Sequence, residues 1–297
     1  MYHRKTGPVA DSMVICSRVY AAPAITAEIT LYHTLKRIDI AYRITLDSTP
    51  QKEIFIEFPF CAEHPDFLYQ NGGLRINAFS DIVPGGNTNH HAVSDYCLIQ
   101  SPHAGIVLAA SEARLFEFGG MHPTAVSQAH HQISPQGFTD SFITRDDIDN
   151  AHIYSMIAYN NCRTNFSVVQ QGDVICRYAI TSGQHPDADQ FAASFTGEPV
   201  LLPGICASAS IDTGIDTVLP VCFKAAEDGD GWILRLRETS GKESIAVLSC
   251  TGRDIQTVGR CTLTEEKEVL LPYTDLSHPS LSLHPYETVT LRLRFRE

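Results

Sequence analysis

Residues 219–238 read LPVCFKAAEDGDGWILRLRE, in which two apolar runs flank an acidic, glycine-rich turn. Gly229 and Gly231 allow the positive backbone φ angles that a tight turn needs, and apolar residues resume at Ile233. Two apolar runs joined by such a turn are typical of a β-hairpin. This stretch therefore predicts two antiparallel strands in the last third of the chain.

Alternation of apolar and polar residues recurs along the rest of the chain. It is clearest in residues 25–31, 38–46, 54–58 and 288–295. A period of two is typical of antiparallel strands with one face buried, and clusters of Gly, Asn, Asp and Pro separate the runs. Helical signals are weak. The sequence therefore predicts an all-β protein made of β-sandwiches rather than an α/β fold.

The composition changes at residues 204–217, where Ala, Ser, Asp and Gly cluster and large apolar residues become rare. A chain of 297 residues is long enough for two domains. We therefore predict a large antiparallel β-sandwich domain in residues 1–208, followed by a small C-terminal β-sandwich domain in residues 209–297.

Charge and composition exclude several classes of partner. A formal net charge of −12 argues against nucleic acid, which needs a concentrated basic face. The longest apolar runs are far shorter than the roughly 20 residues of a membrane helix, and no apolar segment of signal-peptide length opens the sequence. The nine cysteines include no Cys-x-x-Cys pair. Free thiols in a reducing compartment, and hence a cytoplasmic location, are expected.

The hairpin sequence resembles a segment near the carboxyl end of glycoside hydrolase family 38, the α-mannosidase family, in which a Lys-Pro/Ala-Ala-Glu-Asp turn precedes Leu-Arg-Leu-Arg-Glu. Other blocks are similar, in order and spacing, to the β-rich part that follows the catalytic barrel, especially in the bacterial branch. They are residues 7–10, 29–32, 35–40, 57–60, 67–75, 81–87, 116–120, 160–161 and 164–166. The resemblance covers nearly the whole chain and implies a galactose-mutarotase-like supersandwich for residues 1–208.

The resemblance also implies chemistry that this sequence does not contain. Enzymes of this family hydrolyse with retention, which needs two carboxyl groups about 5 Å apart, and they hold a zinc ion by carboxylate and His ligands. These groups lie on an amino-terminal barrel, and nothing here resembles it. We therefore expect no catalytic residue, no metal and no cofactor in this chain, with zinc only on a catalytic domain carried elsewhere.

Three polar clusters are considered as metal sites and rejected. His90-His91 lacks the Asp that follows the second His in the family motif. His122 and the pair His130-His131 lie in a stretch rich in Ser, Gln and Ala, where solvated histidines are the simpler interpretation. Residues 146–149 lack the Gly and the distal Glu of a calcium loop. No metal ligand is assigned.

Two polar loops are the predicted sugar contacts, because sugars are bound by fixed amide, carboxylate and hydroxyl groups. The same residue types also satisfy backbone groups in turns, and that alternative stays open. The candidates are Asp81, Asn87, Asn89 and His90 in residues 81–91, and Asn160, Asn161, Thr164 and Asn165 in residues 160–165.

In relatives the supersandwich begins before the block that matches residues 7–10, so we expect an incomplete sandwich here. An open sheet edge exposes unpaired N–H and C=O groups. The expected partner at that edge is a second copy, giving a homo-oligomer, or a separate chain.

The function predicted from sequence is that of the non-catalytic C-terminal portion of a retaining α-mannosidase-like glycoside hydrolase. This portion would support the catalytic barrel, in cis or as a separate chain, and line a site for an α-mannoside-like carbohydrate. The alternatives are an autonomous carbohydrate-binding module and a pseudo-hydrolase interaction protein. Trp232, the only tryptophan, is expected in the core rather than on a sugar-stacking surface.

Overall fold

The computed structural model describes residues 2–122, 142–160, 167–197, 211–272 and 278–296. The chain divides into two units, residues 1–198 and residues 199–297. The predicted boundary at residues 208 and 209 lies outside the described residues and stays a prediction.

In the described part of the first unit, nearly all secondary-structure elements are strands. Its described elements are β1 (Tyr2–Thr6), β2 (Ala10–Val19), β3 (Ala22–Tyr32), β4 (Ile38–Leu46), β5 (Glu53–Phe60), β6 (Asp66–Asn71), β7 (Leu74–Asn77), β8 (His91–Ala92), β9 (Tyr96–Gln100), β10 (Gly105–Ala110), β11 (Leu115–Phe118), a 3-10 helix (Arg145–Asp147), β12 (Ala151–Tyr159), β13 (Gly172–Gly183) and α1 (Ala188–Thr196).

Two antiparallel sheets form this unit. The larger has nine strands in the order β1-β2-β3-β4-β13-β10-β9-β6-β7, and the smaller has four in the order β5-β12-β11-β8. Tyr178 and Ile44 of the larger sheet share one buried cluster with Phe58, Phe116 and Ile153 of the smaller sheet. The predicted all-β sandwich is confirmed.

Helix α1 lies on the other face of the larger sheet. Its Ala188 and Ala192 pack in a second cluster with Tyr96 and Val107. Asp187 caps the helix by accepting a hydrogen bond from the backbone N–H of Gln190 at 2.9 Å. Phe191 and Phe195 pack against the same cluster, so Ala188, Phe191, Ala192 and Phe195 form an apolar face at helical spacing. This signal in the sequence was overlooked.

The core-facing side of the larger sheet continues beyond the smaller sheet. Met13 pairs with Ile29, which pairs in turn with Ile40, so the three side chains lie on one face. The buried cluster extends along this face only to Ile25 and Ile40. Met13 is 37% exposed and Leu31 is 53% exposed. We call the part formed by Met13, Ile29 and Leu31 the open face.

The second unit is a smaller set of strands. They are β14 (Ile211–Asp212), β15 (Val218–Ala225), β16 (Trp232–Glu238), β17 (Ser244–Val247), β18 (Ser249–Cys250), β19 (Ile255–Cys261), β20 (Val269–Leu270), β21 (Ser280–Leu283) and β22 (Thr288–Phe295). A five-stranded sheet, β15-β16-β22-β19-β20, accompanies the pairs β14-β18 and β17-β21. In the core of the second unit, Leu234, Leu236 and Leu291 of the five-stranded sheet pack with Ala246 and Leu283 of the pair β17-β21.

The predicted hairpin is β15 and β16, in antiparallel register with Ala225 opposite Trp232. Gly231 has a φ of 92°, and a Cβ there would overlap the carbonyl oxygen of Leu293, so glycine is required. The acidic residues of the turn bind arginines of β22. Asp228 accepts from Arg292 at 2.7 and 2.8 Å, and Asp230 accepts from Arg294 at 2.7 and 2.9 Å.

Trp232 is only half-buried. It packs against the core of the second unit. It also stacks on Phe223, with ring centroids 5.1 Å apart and ring planes at 16°. The indole therefore belongs partly to the core and partly to the surface of the second unit.

The cysteines of the described residues are all free, and Cys97 and Cys176 are buried. Among the same residues, no helix combines the length and the apolar sequence that crossing a bilayer requires.

Candidate functional site

The first predicted sugar loop forms one wall of a cleft of about 490 Å³ in the first unit. Residues 142–145 form the opposite wall. Apolar side chains of Phe79, Ile82 and Phe142 line much of the cleft, and Thr88 and Arg145 add polar groups. An apolar cleft with a few polar groups is the usual form of a small-molecule site.

Buried side chains hold the two walls together. Asn89 accepts a hydrogen bond from the backbone N–H of Ile143 at 3.0 Å, and Thr88 donates to the carbonyl oxygen of Ile143. Both Thr88 and Asn89 are buried. Asn89 therefore positions the loop instead of facing the cleft.

Two other predicted contacts fold the loop on itself. Asp81 accepts from the backbone N–H of Asn77 at 2.7 Å and so closes the turn after β7. Asn87 accepts from the backbone N–H of Asn89 at 2.8 Å, the hydrogen bond of an Asx turn. Both side chains are exposed, so these turn bonds leave them accessible to a ligand.

His90 is paired with a buried carboxylate. Its Nε2 lies 3.0 Å from Oε1 of Glu117, and Oε2 of Glu117 accepts from the backbone N–H of His122 at 2.6 Å. Glu117 is completely buried, which is costly for a carboxylate without hydrogen-bond donors around it. The pair fixes the imidazole of His90 at the base of the loop.

Sequence reasoning missed Glu117 as a partner of His90. The pairing depends on the register of β8 and β11, in which His91 is opposite Phe116. This register puts His90 next to Glu117 on the opposite face. The available signal was an acidic residue between two core phenylalanines, Phe116 and Phe118.

His91 points the other way, into the core. Its ring lies 4.9 Å from the ring of Phe118 and 5.1 Å from that of Tyr69, and its Nε2–H donates to the carbonyl oxygen of Thr88 at 2.9 Å. Burial lowers the pKa of His91 to about 4. The side chain is therefore neutral at pH 7 and anchors the end of the loop.

The second predicted loop has a different place in the fold. Asn160 is buried, and its side-chain oxygen accepts a hydrogen bond from the backbone N–H of Lys52. The backbone N–H of Asn160 donates to the carbonyl oxygen of Lys52 at 3.2 Å. This contact lies beside β5, at the sheet edge opposite β8. Asn161, Thr164 and Asn165 lie outside the described residues. Asn160 thus continues strand pairing and is not brought into the cleft.

The described residues offer no donor set for the zinc ion of the family, since no group of three or more His, Cys, Asp or Glu side chains is placed to hold a metal there. Asp147 instead accepts from the backbone N–H of Thr144 at 2.7 Å and caps the 3-10 helix. His130 and His131 lie outside the described residues.

Comparison with known families gives one match, which lies in the second unit. Residues 218–291 match the model of the family described as "Glycosyl hydrolases family 38 C-terminal beta sandwich domain". For these residues, the match confirms the resemblance predicted from sequence. No curated protein matches the chain in sequence.

Two solved structures are similar to nearly the whole chain. One is an α-mannosidase from Enterococcus faecalis V583, and the other is a protein of glycosyl hydrolase family 38 from Enterococcus faecalis. Each has a TM-score of 0.65 at 11% identity over 99% of this chain. The chain spans only 35% and 36% of the lengths of these two proteins. At such low identity the likeness shows a shared fold.

Proposed function

We propose that this chain, whose residues 218–291 form a family-38 C-terminal β-sandwich domain, is the non-catalytic C-terminal portion of a retaining α-mannosidase-like glycoside hydrolase. The observation that carries the proposal is the extent of the fold match, which covers 99% of this chain but about a third of an α-mannosidase. Two thirds of that enzyme, enough for a catalytic barrel, have no counterpart here.

The open face supports a docking role for the first unit. Met13 and Leu31 are exposed on the side of the sheet that elsewhere faces the core, while Ser12 and Glu28 on the opposite side are polar. Burying apolar surface contributes about 25 cal/mol per Å². The proposed occupant of the open face is the catalytic barrel of the same enzyme.

The loop of residues 81–91 supports a role beside the carbohydrate site. Asn87 is exposed, and His90 is fixed by Glu117, so these two are the proposed sugar contacts. Asp81, Asn89 and Asn160 shape their loops through the backbone bonds described above. A reducing cytoplasm as the site of action is supported by the free cysteines.

The test is recovery of α-mannosidase activity through this chain. Affinity purification from the native cell, through a tag on the chain, should yield an eluate that hydrolyses an aryl α-mannoside. The purified 297-residue chain alone should show no hydrolysis, with or without zinc. Met13→Asp should abolish recovery of the activity, because a charge on the open face opposes burial. Thr26→Asp, on the polar side of the same sheet, is the matched control.

Two results would overturn the proposal. One is turnover by the isolated chain that persists through further purification. The other is an eluate without α-mannosidase activity when the tagged chain is folded and abundant. In the second case an autonomous carbohydrate-binding module, the alternative from sequence, would be favoured if the isolated chain bound glycans.

A further inference from the structure

A second cleft, of about 920 Å³, opens on the second unit and has no role in the function proposed above. It lies where β16 begins, where β22 ends and beside the turn before β19. Its wall includes Asp230, Trp232, Arg253, Gln256, Arg294 and Arg296. We call it the Trp232 cleft.

One wall of the Trp232 cleft is aromatic. Trp232 is half-buried, and its ring is held in place by stacking on Phe223 with centroids 5.1 Å apart. Phe295 also lines the cleft. A fixed aromatic surface binds the apolar face of a sugar ring with little loss of side-chain freedom.

Within the described part of the second unit, two arginines of the cleft have no acidic partner, unlike the neighbouring arginines. Arg292 is bound by Asp228, and Arg294 by Asp230 and Glu268. Among the described residues, no carboxylate pairs with Arg253 or Arg296, and both are exposed. The Arg253 guanidinium lies 5.8 Å from the centroid of the Phe295 ring. In a protein of net charge −12, such unpaired guanidiniums form a local site for an anion.

A β-bulge directs a further polar group to the same place. Ile255 is opposite Phe295 and Thr257 is opposite Arg294, so Gln256 is the extra residue in β19. Bulges of this kind re-aim a side chain that a regular strand would place elsewhere. The amide of Gln256 both donates and accepts hydrogen bonds, as recognition of a hydroxyl group requires.

We propose that the Trp232 cleft binds an anionic saccharide, a sugar that carries a phosphate, sulfate or carboxylate group. The sugar ring lies against Trp232, Gln256 contacts a hydroxyl group, and Arg253 and Arg296 bind the anion. Each part of the cleft is used in this arrangement. A neutral sugar would leave both guanidiniums without a partner, and a simple anion would leave the aromatic wall unused.

Trp232 is the only tryptophan of the chain, so its fluorescence reports on this cleft directly. Titration with mannose 6-phosphate and with glucuronic acid should change the emission of Trp232 and give heat in calorimetry. Methyl α-mannoside and inorganic phosphate should bind about tenfold more weakly, because each lacks one half of the recognised chemistry. High salt should weaken binding of the anionic sugars.

The variant for the test is the double substitution Arg253→Gln with Arg296→Gln. Both arginines are exposed, so the urea midpoint should not change, while the affinity for the anionic sugars should fall about tenfold or more. Arg18→Gln, an exposed arginine of the first unit, is the control for the change in charge.

Three results would overturn the proposal. They are the absence of binding of either anionic sugar by calorimetry, unchanged affinity in the double variant, and binding of inorganic phosphate or methyl α-mannoside as tightly as the anionic sugars. None of these results bears on whether the chain accompanies a catalytic barrel. The proposal of a catalytic barrel is tested separately, by recovery of α-mannosidase activity and by substitution on the open face.

Discussion

The carboxylate of Glu238 accepts a hydrogen bond from the backbone N–H of Tyr286 at 3.0 Å, although the two residues are 48 positions apart. The same carboxylate accepts from the backbone N–H groups of Ser240 at 2.7 Å and Gly241 at 2.8 Å. Burial acts to raise the pKa of Glu238, but the hydrogen bonds from Ser240, Tyr286 and Gly241 outweigh it and hold the pKa below its ordinary value. One side chain thus joins two turns of the second unit.

Glu238→Ala should lower the free energy of unfolding of the second unit by about 3–5 kcal/mol, because three backbone donors lose their acceptor in a buried place. The measurement is the urea midpoint. Glu243→Ala is the matched control, since the Glu243 side chain is 76% exposed, and it should change stability by less than about 0.5 kcal/mol. Equal effects of the two substitutions would contradict the role assigned to Glu238.

His91 should make the first unit sensitive to mild acid. Its pKa is lowered from 6.5 to about 4 by burial, so the unfolded chain binds a proton that the folded chain does not. The stability that this difference provides is fully present above about pH 6.5 and is lost as the pH falls towards 4. The free energy of unfolding should therefore fall by roughly 2–3 kcal/mol between about pH 7 and pH 4.5.

The check is urea denaturation at both pH values for the native chain and for His91→Phe, which keeps an aromatic ring beside Tyr69 and Phe118. The variant should lose this part of the pH dependence. His103→Gln, at an exposed position, should retain it. An identical pH dependence in His91→Phe would contradict the assignment of this acid sensitivity to His91.

Gly119, which follows β11, should not tolerate a side chain. Its φ is 77°, and a Cβ would overlap the side chain of Ile148. Gly119→Ala should therefore lower the free energy of unfolding by about 2–4 kcal/mol, through backbone strain and overpacking together. Gly72→Ala has strain alone, since its φ is 59° with open space around it, and should cost about 1–2 kcal/mol. Thermal denaturation of the two variants makes the comparison.

Substitution of Asn160 and of Asn87 should distinguish an asparagine with a structural role from one that faces a ligand. Asn160→Ala removes a buried acceptor from the backbone N–H of Lys52 and should cost about 1–3 kcal/mol in urea denaturation. Asn87→Ala changes an exposed turn and should cost less than about 1 kcal/mol. A large cost at Asn87 with none at Asn160 would reverse the assignment of these two residues.

The parts of the fold that the sequence predicts well are those encoded locally. The hairpin of β15 and β16 follows from an apolar run, an acidic glycine turn and a second apolar run. The alternating segments at residues 25–31, 38–46, 54–58 and 288–295 are found in β3, β4, β5 and β22. The local pattern fixes the strand but not every burial, since Leu31 of β3 is exposed and Arg292 of β22 is buried.

The site was harder to predict because its contacts are distant in sequence. The pair of His90 and Glu117 exists only through the register of β8 with β11. Asn89 and Asn160 were predicted as sugar contacts, yet both hydrogen-bond to backbone, and the same side chain suits either role. Helix α1 had local signals that could have predicted it, namely the caps Asp187 and Gly197 and the helical spacing of Phe191 and Phe195.

The position of β13 has a consequence for how the first unit is synthesised. Strand β13 lies between β4 and β10, and it pairs with β4 over residues 172–180 and with β10 over residues 178–183. During translation, β1 to β4 can form as a local meander, but the free edge of β4 has no partner until residues 172–183 emerge from the ribosome. Such late, long-range pairing is slow and leaves an aggregation-prone edge in the meantime. The yield of folded protein should therefore depend on how a nascent chain that ends before β13 is protected by chaperones.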